Sequence, residues 1–167
     1  VEPHFVSHAI VARTLKEQGH QVLLVNCKAN YAHCLPMDMH GLGMDKTPEQ
    51  KAEICRLCDT VWLRTAAGYG LPSISIADLL DEAERRQIHD QVAAMPADAG
   101  AFQVEGFRFG ALCGSDLALS RKALNQMHVT GENRRLLEAY VEGSLLAYRA
   151  AQKLIQSFPV ARLLYFN

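Results

Sequence analysis

The sequence predicts an α/β fold, a parallel sheet flanked by helices. Helical patterns alternate along the chain with short apolar runs, the order expected of that class. Two of those runs, Gln21–Asn26 (QVLLVN) and Ala161–Phe166, are continuous rather than alternating, as in strands buried on both faces. The first run follows a helical pattern through Gly19 and His20. That is the second half of a β-α-β unit whose first strand would lie just before Val1.

Each element has its own signal. Residues 5–18 carry Phe5, Ala9, Ala12 and Leu15 at helical spacing, with Lys16, Glu17 and Gln18 at an exposed end and Gly19 as the stop. Cys27 to Thr47 reads as a loop containing Pro36, Gly41 and Gly43, long enough to require anchoring or a function. Thr47-Pro48-Glu49 opens the next helix with a cap, a first-turn proline and an acid. It runs to about Ala67 with Ile54, Leu57, Cys58, Val61 and Trp62 as its buried stripe, and Gly68 and Gly70 end it. A second helix is expected from Ile76 to Met95. Phe102–Phe109 alternates around Glu105-Gly106, which predicts a small β-hairpin insertion or a tight turn. Ser115-Asp116 are expected to start a short helix to about Met127. A long helix from Glu132 to Ser157 follows, with Leu137, Val141, Leu145, Tyr148, Ala151 and Ile155 as its stripe and Pro159 as its breaker.

Composition excludes several classes. The 167 residues fit one domain. With 49% hydrophobic residues the chain can bury a core and is not intrinsically disordered. Its 17 basic residues against 18 acidic ones give a net charge of −1, which argues against a nucleic-acid partner. No apolar run approaches the roughly 20 residues of a membrane span, and no signal-peptide pattern is visible. The opening Val1-Glu2-Pro3-His4 and the ending on Leu163–Asn167 suggest a fragment.

Four stretches carry candidate chemistry. His4, Ser7 and His8 lie at the entry to the first helix. That entry would sit at the carboxyl end of a preceding strand, where open α/β sheets bind ligands. A histidine there can serve as general base, and Ser7 can hold a hydroxyl or an anion; plain loop bonding and packing is the other reading. Cys27, Cys34, Cys55 and Cys58 form two closely spaced pairs within 32 residues. Their odd fifth partner, Cys113, argues against a disulfide framework. In a reducing cytoplasm the four suggest a closed structural zinc site, or an iron–sulfur cluster, with His33 and His40 as replacement ligands; four small buried residues are the alternative. In Gly110–Arg121 the bland reading is a helix cap at Ser115 or Asp116, and the rival is an acceptor-binding segment with Arg121 near a phosphate. Asn167, past the last strand, is either on the ligand side of the sheet or a turn residue. No glycine-rich phosphate loop, G-x-S-x-G or H-E-x-x-H is present.

Taken in order, His4–His8, Gly19–Val22, the cysteine window, Glu105–Gly110, Ser120-Arg121, Phe158–Val160 and Leu163–Asn167 resemble bacterial surface- and capsule-polysaccharide glycosyltransferases. The resemblance implies a GT-B architecture. Residues 1–167 would be its Rossmann-like, acceptor-side N-terminal domain, and the nucleotide-sugar-binding half would follow Asn167. It implies transfer from a nucleotide sugar to a surface-glycan acceptor without a catalytic metal. His4 or His8 would be the base, Ser7, Arg121 and Asn167 would line the acceptor side, and a zinc on Cys27, Cys34, Cys55 and Cys58 would pin the 27–47 loop. The expected location is cytoplasmic, with peripheral membrane association compatible. A nucleotide-sugar epimerase and a non-catalytic metal-stabilised interaction module are the rival readings.

Overall fold

The computed structural model describes residues 2–120, 130–160 and 162, with the side chains of 2–6, 35, 119 and 120 left out. The described residues form seven α-helices, one 3-10 turn and two strands. They do not form the expected Rossmann-like sheet flanked by helices: 64% are helical, and the sheet has two parallel strands. Of the apolar run Gln21–Asn26 only Leu24–Asn26 is strand, and the run Ala161–Phe166 falls almost wholly outside the described residues. The chain divides into two compact units, one drawn from Val1–Asn30, Leu35–Leu79 and Gln152–Asn167, the other from Tyr31–Cys34 and Leu80–Ala151.

In the first unit, helix α1 is Glu2–Glu17. It starts three residues earlier than expected because Pro3 suits a first turn, where no N–H is needed. His4, Ser7 and His8 therefore sit in the helix rather than in a loop before it. Gly19, at φ +88°, ends it: His20 N–H donates to the Leu15 carbonyl and Gly19 N–H to that of Lys16. Those two bonds close the helix end in a left-handed glycine cap. Strand β1 (Leu24–Asn26) follows, and the expected loop from Cys27 to Thr47 contains a short helix α2, Leu35–Met39.

Helix α3 spans Pro48–Gly68. Thr47 and Gln50 form a reciprocal capping box, with Gln50 N–H donating to Thr47 Oγ1 at 3.3 Å and Thr47 N–H to Gln50 Oε1 at 2.8 Å. Such a box satisfies two amide groups the helix cannot. Ile54 and Ala66 are buried, but Leu57 is exposed, so the stripe is narrower than expected. The carboxyl end of α1 holds that of α3: Arg13 Nη1 donates to the Tyr69 carbonyl at 3.1 Å, and Lys16 Nζ to that of Gly70. Cations there oppose the helix dipole.

Strand β2 (Ser73–Ser75) pairs in parallel with β1, in the register Leu24 with Ser73, Val25 with Ile74 and Asn26 with Ser75. The β1–α3–β2 crossover is thus a single β-α-β unit. The helix expected from Ile76 to Met95 is two: α4, Ile76–Leu79, and α5, Glu82–Ala93. Asp81 interrupts it, making a capping box with Glu84 that begins α5.

In the second unit, α5 is followed by a 3-10 turn at Ala99–Ala101, then α6 (Phe109–Ser120) and the long α7 (Gly131–Ser157), which belongs to this unit as far as Ala151. Helix α6 starts at Phe109, so Ser115 and Asp116 lie inside it; Ser115 Oγ donates back to the Ala111 carbonyl at 3.1 Å. Phe109, with the Gly110 that packs against the 3-10 turn, fixes this earlier start. The expected hairpin is a single antiparallel bridge, Val104 with Phe107, closed by Glu105 and Gly106 at φ +52° and +82°. The Glu105 carboxylate accepts from Tyr148 Oη at 2.9 Å and from Arg149 Nη1 at 2.5 Å, and Phe107 and Phe109 pack on the Tyr148 ring. The core of this unit is the α7 stripe Leu136, Leu137, Val141, Leu145, Leu146 and Ala150, with Cys113 and Leu117 from α6.

Candidate functional site

Parallel strands expose their ligand-binding potential at their carboxyl ends. In the first unit those ends are Asn26 and Ser75, paired side by side. Beyond β1 the chain turns at once: Asn30 N–H donates to the Cys27 carbonyl at 3.1 Å, and the two central residues, Lys28 and Ala29, are left-handed at φ +45° and +61°. Neither is glycine. Each such residue costs roughly 1–2 kcal/mol, and strain of this kind gathers where a site needs it.

The turn delivers Lys28 Nζ to 3.6 Å from Asp78 Oδ1. Asp78 is held from the other side by buried Ser75, whose Oγ donates to Asp78 Oδ2 at 2.7 Å while accepting from Asp78 N–H at 3.1 Å. The Ser75 hydroxyl, and then the Lys28 charge, hold the Asp78 carboxyl below its ordinary value. The set is therefore fully formed above the ordinary carboxylate range and is lost as pH falls through the lowered one. Two buried amide atoms of the same stretch, Asn26 Oδ1 and Asn30 Nδ2, have no hydrogen-bond partner among the described residues. A buried polar atom left so costs about 1–3 kcal/mol.

Strain at Ala29 gives a direct prediction. Ala29→Gly should raise stability by roughly 0.5–1 kcal/mol, since glycine occupies φ > 0 freely but loses more chain entropy on folding. For a chain of this size that is a rise of about 1–4 °C in Tm. An unchanged or lower Tm would mean that the turn is not strained.

The residues expected from sequence are distributed as follows. His8 is half-buried and Ser7 exposed on α1, and both make contacts there; the His4 side chain, Arg121 and Asn167 lie outside the described residues. Cys27, Cys55 and Cys58 belong to the first unit and Cys34 to the second; all are half-buried, and among the described residues they form no disulfide. Cys55 and Cys58 share a face of α3 by spacing. Burial pushes the Cys55 thiol above its ordinary value, only partly offset by Lys51. Among the described residues no three His, Cys, Asp or Glu side chains are placed to hold a metal ion. The cysteine window does not fit a metal centre there, and no chemistry is assigned through one. Cys113, buried as expected, shares a hydrogen bond with Ser144 at 3.3 Å.

Asn26, Lys28, Asn30, Ser75 and Asp78 were not marked by sequence motifs. The capping-box spacing Ser75-x-x-Asp78 was a readable signal for the start of α4. Among the described residues no helix is long and apolar enough to cross a membrane. No protein-family model matches the chain, and no curated protein and no solved structure matches it.

Proposed function

We propose that the protein serves transfer of a sugar from a nucleotide-sugar donor to a bacterial surface-glycan acceptor, as a glycosyltransferase. The carrying observation is the parallel β1–α3–β2 crossover, whose carboxyl edge gathers Asn26, Lys28, Ser75 and Asp78. The resemblance of the segments from His4–His8 to Leu163–Asn167 supports the same class of chemistry. In this reading the acceptor hydroxyl attacks the anomeric carbon, the bond to the nucleotide diphosphate breaks, and the hydroxyl proton passes to His4 or His8. Ser7, Arg121 and Asn167 would line the acceptor side.

The position of α1 supports the histidines. Arg13 and Lys16 bind carbonyls of Tyr69 and Gly70, just ahead of β2, and Leu24 N–H donates to the Pro72 carbonyl. The carboxyl end of α1 thus lies by the amino ends of both strands. His8 is eight residues before Lys16, about 12 Å along the helix, against roughly 10 Å for a three-residue strand. In this reading α1 runs back beside β1, which would bring His8 level with the strands' carboxyl edge and His4 a turn further.

The test is turnover by the full-length protein with nucleotide sugars, with and without glycan acceptors. We expect hydrolysis of the donor or transfer to the acceptor, and we expect one of His4→Ala and His8→Ala to lose most of that activity while staying folded. Full activity in both variants removes the base assignment. An altered sugar formed from donor alone points to an epimerase. Neither turnover nor nucleotide-sugar binding leaves an interaction module and ends the transferase reading.

A further inference from the structure

The turn from Cys27 to Asn30, with Asn26 just before it, carries one exposed cation and two buried amide atoms within five consecutive residues. Lys28 Nζ is solvent-accessible, and its partner Asp78 is exposed too. An ion pair of that kind contributes little and is readily exchanged. Among the described residues Asn30 Nδ2 is a donor without an acceptor, and Asn26 Oδ1 an acceptor without a donor. The turn between them is left-handed at both central residues, so the free conformation is not its most relaxed one.

We propose that this turn is a binding site for a hydroxyl-bearing anion, a phosphate or phosphate monoester. An anionic oxygen displaces Asp78 from Lys28, a second oxygen accepts from Asn30 Nδ2, and the ligand's own hydroxyl donates to Asn26 Oδ1. As the turn shifts to admit the ligand, the buried amides gain the partners they lack. A chloride ion has no hydrogen to donate to Asn26 Oδ1, and a neutral sugar brings no charge to Lys28. The proposal concerns equilibrium binding and stands or falls apart from any transferase activity.

The test is titration of the full chain with inorganic phosphate, followed by ¹⁵N–¹H amide shifts, with sodium chloride at matched ionic strength and glucose as controls. Saturable shifts at Lys28, Ala29 and Asn30 are expected with phosphate and with neither control. Lys28→Gln should weaken binding about tenfold, as loss of a charged hydrogen bond does. Asn30→Ala should weaken it by a smaller factor, with Tm unchanged or raised, because its Nδ2 has no partner to lose in the free protein. A structural role for Asn30 would lower Tm instead. Glucose 6-phosphate and vesicles containing phosphatidic acid then separate a soluble from a membrane-borne source, and binding of either supports the site. Phosphate shifts that survive Lys28→Gln, that chloride reproduces, or that map away from 26–30 overturn it, as does the absence of any saturable shift.

Discussion

Replacing Gly110 with alanine should destabilise the second unit by at least about 3 kcal/mol, the upper range of overpacking. A Cβ at Gly110 would lie 1.7 Å from the Ala99 carbonyl oxygen and 3.2 Å from Phe102 Cβ. The first neighbour is backbone, held in the 3-10 turn by the bond from Phe102 N–H to the Ala99 carbonyl, and Gly110 N–H itself donates to the Phe102 carbonyl at 3.2 Å. No side chain can swing aside. Helix α6 and the turn must separate by more than an ångström, opening the packing around Phe109 and Cys113, both buried. Alanine's better helix propensity returns at most about 1 kcal/mol. The same helix supplies the control. A Cβ at Gly114 meets none of the described residues within 4 Å, so Gly114→Ala should raise stability by up to about 1 kcal/mol. Opposite signs from two glycines one turn apart, read from urea unfolding curves, would establish the close approach. Two stabilising substitutions would show that α6 does not pack against the turn as described.

Chemistry confined to a few neighbouring residues was legible in the sequence. Thr47-Pro48-Glu49 announced α3, and Glu105-Gly106 a two-residue turn with both residues at positive φ. Long-range consequences were not. The apolar run at 21–26 looks the same whether it enters a broad sheet or gives three paired residues, because partner strands are distant in sequence. Strand β2 is hidden in Leu71-Pro72-Ser73-Ile74-Ser75, where two serines mask a short strand buried only at its end. The helix break at Asp81 was readable, since Asp81-x-x-Glu84 is a capping-box pattern, but the charged run after it continued the helical period and obscured the start. Spacing placed Cys55 beside Cys58 correctly, and it could not say where Cys27 and Cys34 would lie. Of the site, Asn26 was visible as the end of a strand. Lys28 and Ala29 gave no warning of left-handed backbone, because the residues that normally advertise it, glycine and asparagine, are absent from those positions.

The Arg134 guanidinium is expected to be worth about 2 kcal/mol to the second unit through what it does for another helix's end. Carbonyls just beyond α5 have no partners within the helix. Arg134, on the first turn of α7, supplies them: Nη2 donates to the Met95 carbonyl at 2.7 Å, Nη1 to that of Pro96 at 2.8 Å and, more weakly, to Ala97 at 3.4 Å. Its Nε donates to Glu138 Oε1 at 2.7 Å, which orients the fork from within α7. Charged hydrogen bonds contribute about 1.5–3 kcal/mol where shielded; the Arg134 side chain is 20% exposed, which places the sum near the lower half of that range. Arg134→Lys should recover less than half of the loss, because a single ammonium cannot span the Met95 and Pro96 carbonyls as a planar fork does. Glu138→Gln should cost only a few tenths of a kcal/mol, the usual worth of a helical i, i+4 pair. If Arg134→Lys is as stable as the parent in urea unfolding, the carbonyl fork is not what holds α5 to α7. If Glu138→Gln costs as much as Arg134→Ala, the ion pair carries the effect instead.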